Sequence, residues 1–462
     1  MDTLFMTLNK SSNMPLYEQI YMHIRQDITD GKLAVGQKLP SKRKLGAFLE
    51  VSQTTIELAY EQLAAEGYVR SKPRSGFYVE DIGTLIPVRP HYTFIEHEEK
   101  KKYRFDLRSG RIDATQFPFD TWRKYAKDLI DENRIELLQL GHPYGERVLR
   151  EEIARHLYHS RGVDCAPEQV IIGSGTEQLL PLLVRLLPED TSFALEDPGY
   201  LVSHRIFHHL SRTLYPIPVD EEGIDVDQLL KSDAHVAYVT PSHQFPTGAV
   251  LSAARKTMLL NWAAQTDRLI IEDDYDSEFR YSGRPIPSLQ SMDGGRHVVY
   301  MSTFSKSFMP SLRIAYMVLP PHLLVRYEKE YAHYASTVPR FDQHLLASFM
   351  RDGHYSRHLN RMRLVYKKKL AIVTAFLDQF APTITYEGEQ AGLHITIQVH
   401  VEQTTEQLAL QAEKQGIHIR PITDYSYESL PKTPTFILGF ASLPNDTLIE
   451  ALDTLMKAWK IK

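Results

Sequence analysis

Residues 298–307, Val298-Val299-Tyr300-Met301-Ser302-Thr303-Phe304-Ser305-Lys306-Ser307, join a short apolar run to a row of hydroxyls around one lysine. The run is continuous rather than alternating, the pattern of a strand buried on both faces, as in a parallel α/β sheet. Three further runs share it: Val170-Ile171-Ile172, His235-Val236-Ala237-Tyr238-Val239 and Leu269-Ile270-Ile271. Each is soon closed by Gly, Pro, Asp or Ser. Helical patterns over 176–187 and 252–266 lie between them, so this part of the chain reads as alternating α/β. From about Pro339 the order changes to a helix over 355–380 and then strands over 393–399 and 435–440, a smaller α+β lobe.

The rest of the 462-residue chain is consistent with several domains, at roughly 100–200 residues each. Its 53 Lys and Arg against 58 Asp and Glu leave a net charge of −5, which excludes a uniformly basic coat but not a basic face on one domain. One cysteine, Cys165, excludes an intrachain disulfide framework and fits a reducing compartment. No apolar run approaches the roughly 18 residues of a membrane span. The N-terminal MDTLFMTLNKSSNMPL lacks the charged and then apolar regions of a signal peptide. A bacterial cytoplasmic protein with no membrane partner is expected. Three segments follow: 1–80, a linker at 81–104 with two prolines and a charge cluster over 96–102, and 105–462. Fully extended, the linker spans roughly 75–80 Å at about 3.3–3.6 Å per residue. That reach lets the head of one subunit sit over the body of another.

In the first segment Leu16, Tyr17, Ile20, Ile24 and Ile28 are spaced for one face of a helix ending at Gly31. Ser41 suits an N-cap, with Leu45, Phe48 and Leu49 as the buried stripe of a second helix. Glu50-Val51 is a tight connection. Ser52 caps a third helix with Ile56, Ala59, Tyr60 and Leu63 inward. Tyr68-Val69-Arg70 and Phe77-Tyr78-Val79 flank the basic turn Lys72-Pro73-Arg74-Ser75-Gly76. Two helices joined by a short turn, followed by a basic hairpin, form a winged helix-turn-helix. Gln53, Thr54 and Thr55 start the third helix, where side chains reach base edges in the major groove. Ser41, Lys42, Arg43, Lys44, Arg70, Lys72 and Arg74 face phosphates, the cations neutralising them, while Glu57, Glu61 and Glu66 must tilt away. The bland alternative is a three-helix scaffold with solvated basic residues. The phrase LPSKRKLGAFLEVSQTTIELAYEQLAAEGYVRSKPRSGFYV resembles GntR-type regulators, which implies operator DNA as a partner. That family commonly has Arg after the cap of the reading helix. Here it is Gln53, so a different base preference is expected.

A lysine among hydroxyls at a strand end can form a Schiff base with pyridoxal 5′-phosphate (PLP), the hydroxyls taking its phosphate. Alone, a Ser-Lys pair is more often a solvated loop. Other segments change that reading. Asp273 and Tyr275, at the end of Ile270-Ile271-Glu272-Asp273-Asp274-Tyr275, suit the two needs of the PLP ring: a carboxylate at the pyridine nitrogen and a hydrogen bond at the phenolate oxygen. Gly173-Ser174-Gly175-Thr176 joins a strand to a helix and can cradle phosphate at the helix N-terminus. Arg313 adds a bidentate phosphate contact. Tyr200, after the turn Glu196-Asp197-Pro198-Gly199, is placed to stack on the ring. Pro241-Ser242-His243-Gln244-Phe245-Pro246-Thr247-Gly248 is a further strand-end loop.

These phrases, PSHQFPTG, EDDYDSEF and TFSKS among them, resemble fold-type I aminotransferases. The fused arrangement resembles the MocR subgroup of GntR regulators, including its PdxR-like and GabR-like branches, over essentially the whole chain. The resemblance implies a multi-domain protein, an α+β winged head on an α/β fold-type I body with a smaller α+β lobe. It implies Lys306 as Schiff-base lysine, Asp273 at the pyridine nitrogen and Tyr275 at the ring hydroxyl. It places Thr176, Ser305 and Arg313 at the phosphate, with Gly175 and Thr303 in the same cradle. It also implies a head-to-tail, domain-swapped homodimer.

The departures concern the effector. True aminotransferases usually carry Asn-Pro-Thr-Gly where this chain has Phe245-Pro246-Thr247-Gly248; His243 or Gln244 stands in as a substitute. The C-terminal Arg that grips a substrate carboxylate falls at Ser442, and a second Arg of GabR-like proteins falls at Val202. Losing such a pair forfeits about 1.5–3 kcal/mol per charged hydrogen bond. An amino acid is thus poorly anchored, which points to PLP itself as the signal, as in PdxR-like regulators of vitamin B6 synthesis. Arg420 is either a different anion clamp or a surface ion pair. No residue is assigned a catalytic or metal role. A working aminotransferase, or a sensor of another amino compound, are the rivals. His204 and His208, four apart, read as structural or solvent-facing. Cys165 reads as a packing residue, and Lys367-Lys368-Lys369 as a solvated helix face or a second DNA contact.

Overall fold

The computed structural model describes residues 6–83, 101–130, 135–282, 286–428 and 431–461. The chain divides into two compact units, Met1–Glu99 and Lys100–Lys462. Most of the linker read at 81–104 lies outside the described residues.

In the first unit α1 (Leu16–Thr29) buries Ile20, Ile24 and Ile28, each four residues from the last. Helix α2 (Lys42–Leu49) begins at Ser41, whose Oγ accepts from the Lys44 N–H at 3.3 Å. Glu50 turns the chain in the left-handed region, and Ser52 caps α3 (Gln53–Ala65) by accepting from the Thr55 N–H at 3.1 Å. Ile56, Ala59, Tyr60 and Leu63 of α3 are fully buried. Tyr60 keeps its hydroxyl satisfied by donating to the Pro40 carbonyl at 3.0 Å. Strands β1 (Val69–Lys72) and β2 (Gly76–Val79) form the antiparallel wing.

Two core expectations fail. Phe48 is 61% exposed and Tyr17 is 36% exposed. In α2 the inward arc is Leu45, Gly46 and Leu49. At 100° per residue Phe48 lies well off that arc. Gly46 takes the inner place because a Cβ there would meet the Val51 carbonyl oxygen at 3.0 Å.

The second unit is built on an eight-stranded sheet in the order Val170–Gly173, Ala315–Val318, Val298–Thr303, Leu269–Asp274, Val236–Val239, Phe193–Asp197, Leu214–Asp220, Gly223–Ile224. The strands from Val298–Thr303 to Leu214–Asp220 pair in parallel. Ala315–Val318 runs antiparallel to both neighbours, so the sheet is mixed. Only the short turns Phe304–Ser307 and Pro310–Leu312 separate it from Val298–Thr303. So short a connection must reverse the chain. The parallel strands bring their C-terminal ends to one edge, the usual ligand side of such a sheet.

The long helix His354–Leu377 leads into a four-stranded antiparallel sheet, Ile384–Glu387, His394–Val399, Thr435–Gly439 and Arg420–Pro421. Lys367 and Lys368 are exposed on that helix, but Lys369 is buried. Its Nζ donates to Asp113 at 2.8 Å and to the Ala441 carbonyl at 2.6 Å. The lysine triplet is therefore not one solvated face, because 100° steps turn its third member inward. No helix among the described residues is long and apolar enough to cross a membrane.

Candidate functional site

Lys306 sits in the short helix Phe304–Ser307 directly after the strand Val298–Thr303. Buried Phe304 and Ser307 anchor that turn below, and the Thr303 hydroxyl caps it by accepting from the Ser305 N–H at 3.1 Å. The lysine Nζ projects into a cavity of about 370 Å³, where it donates to the Gly110 carbonyl at 2.9 Å. Burial lowers the ammonium below its ordinary value, and the acids Asp276, Glu177 and Asp273 pull the other way.

Asp273 and Tyr275 line the same cavity. Asp273 lies opposite Met301 in the sheet, and the Tyr238 hydroxyl donates to its carboxylate from the next strand. Burial pushes the Asp273 carboxyl up to about 6. Among the described residues no cation pairs with this carboxylate, which is suited to a pyridinium N–H. Tyr275 donates to the His243 carbonyl at 2.9 Å and lies 3.0 Å from His243 Nδ1.

The third wall is the loop–helix junction at Gly175. Its φ of +142° and ψ of 168° are a conformation nearly restricted to glycine. A Cβ there would lie 2.3 Å from Arg313 Nη2. Thr176 opens the helix Thr176–Leu186, so the free N–H groups of its first turn lie at the cavity that Arg313, Thr303 and Ser305 also line. Arg313, itself left-handed at φ +51°, pairs with Glu177 at 2.9 Å. Both partners are about half exposed, and a pair of that kind is worth only about 0–1 kcal/mol, so an incoming phosphate can replace the carboxylate. These residues fit PLP: an amine of lowered basicity, a buried carboxylate, a phenol, and an anion cradle that a Cβ would fill. When bound, PLP supplies an aldehyde and an electron-withdrawing ring.

Of the residues singled out from sequence, Lys306, Asp273, Tyr275, Tyr200, Gly175, Thr176, Thr303, Ser305 and Arg313 line one cavity. His243 does not. It is 1% exposed and lies behind Tyr275, with Nδ1 3.1 Å from Asp276 and Nε2 unpartnered. Gln244 is also occupied elsewhere, donating to Glu196 at 3.1 Å and to the Pro198 carbonyl at 2.9 Å. Neither replaces the missing Asn. Phe245 fills that wall, edge-on to Tyr200, Tyr275 and Tyr425. Val202 and Arg420 line the cavity; Ser442 does not.

Sequence reasoning did not find Gly110, Tyr238, Asp276, His394 or Tyr425. Only Gly110, in Arg108-Ser109-Gly110-Arg111, carried a local signal, and that signal was an ordinary turn. His243, Asp276 and His394 bring potential metal-ligand atoms within 4.8 Å of one another. His394 is already engaged with the Pro246 carbonyl at 3.1 Å. Burial pushes the Cys165 thiol up to about 12, which suits a packing residue. His204 stacks on Tyr427 at 4.0 Å.

On the head, Gln53, Thr54, Arg43 and Arg74 are exposed. Thr55 is less free, its hydroxyl 2.8 Å from that of Ser52. Lys42 is bound to Glu57 and lies over the Phe77 ring at 5.9 Å.

Residues 105–455 match the family model for aminotransferase class I and II, and residues 16–79 match that of bacterial regulatory proteins of the gntR family. The chain is 43% identical to the HTH-type transcriptional regulator YdeL of Bacillus subtilis, covering 98% of this chain and 99% of that one. It is 31% identical to the HTH-type pyridoxine biosynthesis transcriptional regulator PdxR of Corynebacterium glutamicum, covering 96% and 95%. It is 30% identical to the probable rhizopine catabolism regulatory protein MocR of Rhizobium meliloti, covering 98% and 96%. Among solved structures, an archaeal alanine:glyoxylate aminotransferase superposes with a TM-score of 0.72 at 23% identity, covering 79% of this chain and 92% of that one. This last likeness concerns fold alone.

Proposed function

The chain belongs to the aminotransferase class I and II family and, through its gntR-family head, to the MocR-type transcriptional regulators, and on that premise we propose that PLP is its signal and vitamin B6 synthesis genes its targets. The observation that carries the reading is the composition of one cavity. Lys306, Asp273, Tyr275 and the Gly175–Arg313 cradle supply what PLP needs. The groups that would grip an amino acid substrate are replaced by Val202, Phe245 and Ser442. Likeness to a pyridoxine biosynthesis regulator supports the same direction.

The chain's own residues would work as follows. Arg313, Thr303, Ser305 and the N–H groups at Thr176 hold the phosphate. Asp273, kept in place by Tyr238, holds a proton at the pyridine nitrogen. Tyr275 meets the ring oxygen, Tyr200 covers a ring face, and Lys306 supplies the amine. The winged heads of a head-to-tail dimer then change their grip on operator DNA through Gln53, Thr54, Thr55 and the phosphate-facing Ser41, Lys42, Arg43 and Arg74. Linkage requires operator DNA to change PLP affinity by the same factor.

A second reading has one observation in its favour. Arg420 reaches the cavity wall, 45% exposed and, among the described residues, held only by Asp424 at 3.4 Å, where it can receive the acid group of an amino compound.

The test is DNA binding to the gene's own upstream region and to vitamin B6 synthesis promoters, with and without PLP, alongside PLP titration with and without that DNA. We expect both constants to shift by one common factor, and borohydride to trap PLP in the native chain but not in Lys306→Ala. Indifference of both constants to the other ligand overturns the sensing claim. Trapping that survives in Lys306→Ala overturns the site.

A further inference from the structure

Adjacent residues of a strand point to opposite faces, so Asp274 looks away from the cavity that Asp273 serves. Asp274 Oδ2 receives Arg161 Nε at 2.7 Å and the Tyr300 hydroxyl at 2.5 Å. Arg161 and Tyr300 also line a separate cavity of about 320 Å³, together with Arg280, Arg363, Glu278 and His156. That volume is at the lower end of small-molecule pockets.

The polar inventory of this cavity is unbalanced. Arg161 is spent on Asp274, Ser242 and the Ile286 carbonyl. Arg363 donates Nε to the Glu278 carbonyl at 3.0 Å and Nη1 to Asn360 at 2.8 Å, and among the described residues no carboxylate pairs with it. The Arg280 guanidinium makes no hydrogen bond or ion pair among the described residues, and its Nε is buried without a partner. Glu278 Oε2 and Asp274 Oδ1 are likewise buried and unpartnered. Glu278 and Arg280 are two apart and do not pair. Burial pushes the Glu278 carboxyl up to about 8, so at neutral pH it is chiefly a hydroxyl donor, and burial lowers His156 to about 4, leaving it neutral. Three guanidiniums thus line the cavity, and among the described residues the one ion pair any of them makes is that of Arg161 with Asp274. Buried polar atoms are nearly always partnered, and a cluster of exceptions around one hollow marks a missing ligand or water.

We propose that this cavity is a second ligand site, which takes a small metabolite through a carboxylate or phosphate group received by Arg280 and Arg363, with Glu278 beside them. It is separate from the PLP cavity and independent of what that cavity senses. Two residues of its wall, Arg161 and Tyr300, hold Asp274, next in sequence to Asp273, so occupancy bears on the same strand end.

The test titrates the full chain, saturated with PLP so that its own phosphate cradle is filled, at constant ionic strength with inorganic phosphate and, in a second arm, with succinate, read by calorimetry. Saturable binding is expected in one arm or both, which tells a phosphate from a carboxylate ligand. The dissociation constant should rise by about tenfold or more in Arg280→Gln, the loss of at least one charged hydrogen bond, and stay unchanged in Arg326→Gln, an exposed arginine that lines neither cavity. Should Arg280→Gln fail to fold, Ser356→Glu, at an exposed position on the cavity wall, places a tethered carboxylate there and should abolish binding. Absence of saturable binding in both arms overturns the proposal. So does saturable binding that is indifferent to the variant at Arg280 or Ser356.

Discussion

Replacing Gly175 by alanine tests the cofactor cradle at its tightest point. The new Cβ would lie 2.3 Å from Arg313 Nη2 and 2.6 Å from Glu177 Oε2, both well inside contact distance. Both atoms end flexible, half-exposed side chains, so the guanidinium can swing out. The steric cost is therefore small, and the cost to stability is mainly the backbone conformation, about 1–3 kcal/mol. Cofactor affinity suffers separately, because the displaced Arg313 no longer meets the phosphate. One charged hydrogen bond is worth about 1.5–3 kcal/mol, or about one to two decades in dissociation constant. Arg313→Gln removes the same contact without backbone strain. We expect PLP titrations, followed by the visible absorbance of lysine-bound PLP, to weaken by about 10- to 100-fold in both variants. Thermal melts should drop only in Gly175→Ala. Affinity within twofold of the native chain in Gly175→Ala, with an unshifted melt, would refute the assignment of this junction as the phosphate cradle.

Further outcomes follow from the same contacts. Asp273 has a folded-state value near 6 against an ordinary 3.8, so between those values the folded chain binds a proton that the unfolded chain has released, and stability falls as pH rises through that window. Asp273→Asn should therefore stabilise the PLP-free chain by up to about 3 kcal/mol at pH 7–8 and by nothing near pH 4, in denaturant melts; a gain independent of pH would contradict the burial argument. Lys369→Met leaves the Asp113 carboxylate buried without its cation and should cost about 3–5 kcal/mol, with part of it recovered on adding Asp113→Leu, which also removes the acceptor of the Thr115 N–H. Lys367→Ala and Lys368→Ala should each stay within about 0.5 kcal/mol, and equal effects at all three lysines would restore the solvated-face reading. On operator DNA, Arg43→Ala should reduce the salt dependence of binding by about one charge, whereas Lys42→Ala should change it less because Glu57 already holds that ammonium. The reverse order in a salt titration would show that Lys42 releases Glu57 on DNA.

The residues proposed to hold PLP were legible because most lie just after a strand, where a short motif states its chemistry. TFSKS, EDDYDSEF and GSGT each contribute one wall of the 370 Å³ cavity. The head was legible because its caps, Ser41 and Ser52, act over three residues. The errors were matters of angle and of distance along the chain. Phe48 and Lys369 were misjudged because an eight-residue helix and a lysine triplet do not announce which arc faces inward. Tyr238 beneath Asp273, Gly110 beneath Lys306, and Gln244 drawn off to Glu196 are contacts between residues 35, 196 and 48 positions apart.

Local order along the chain was thus enough to name a winged DNA-reading head, an α/β body and a PLP-shaped set of side chains. Periodicity, capping and strand-end chemistry are properties of neighbouring residues. Which cations stay free was settled by folding alone: Arg313 shared with Glu177, Lys42 taken by Glu57, and Arg280 without a partner among the described residues beside a second hollow. Charge pairing depends on distances in space, and those emerge only when strands and helices remote in sequence are packed against one another.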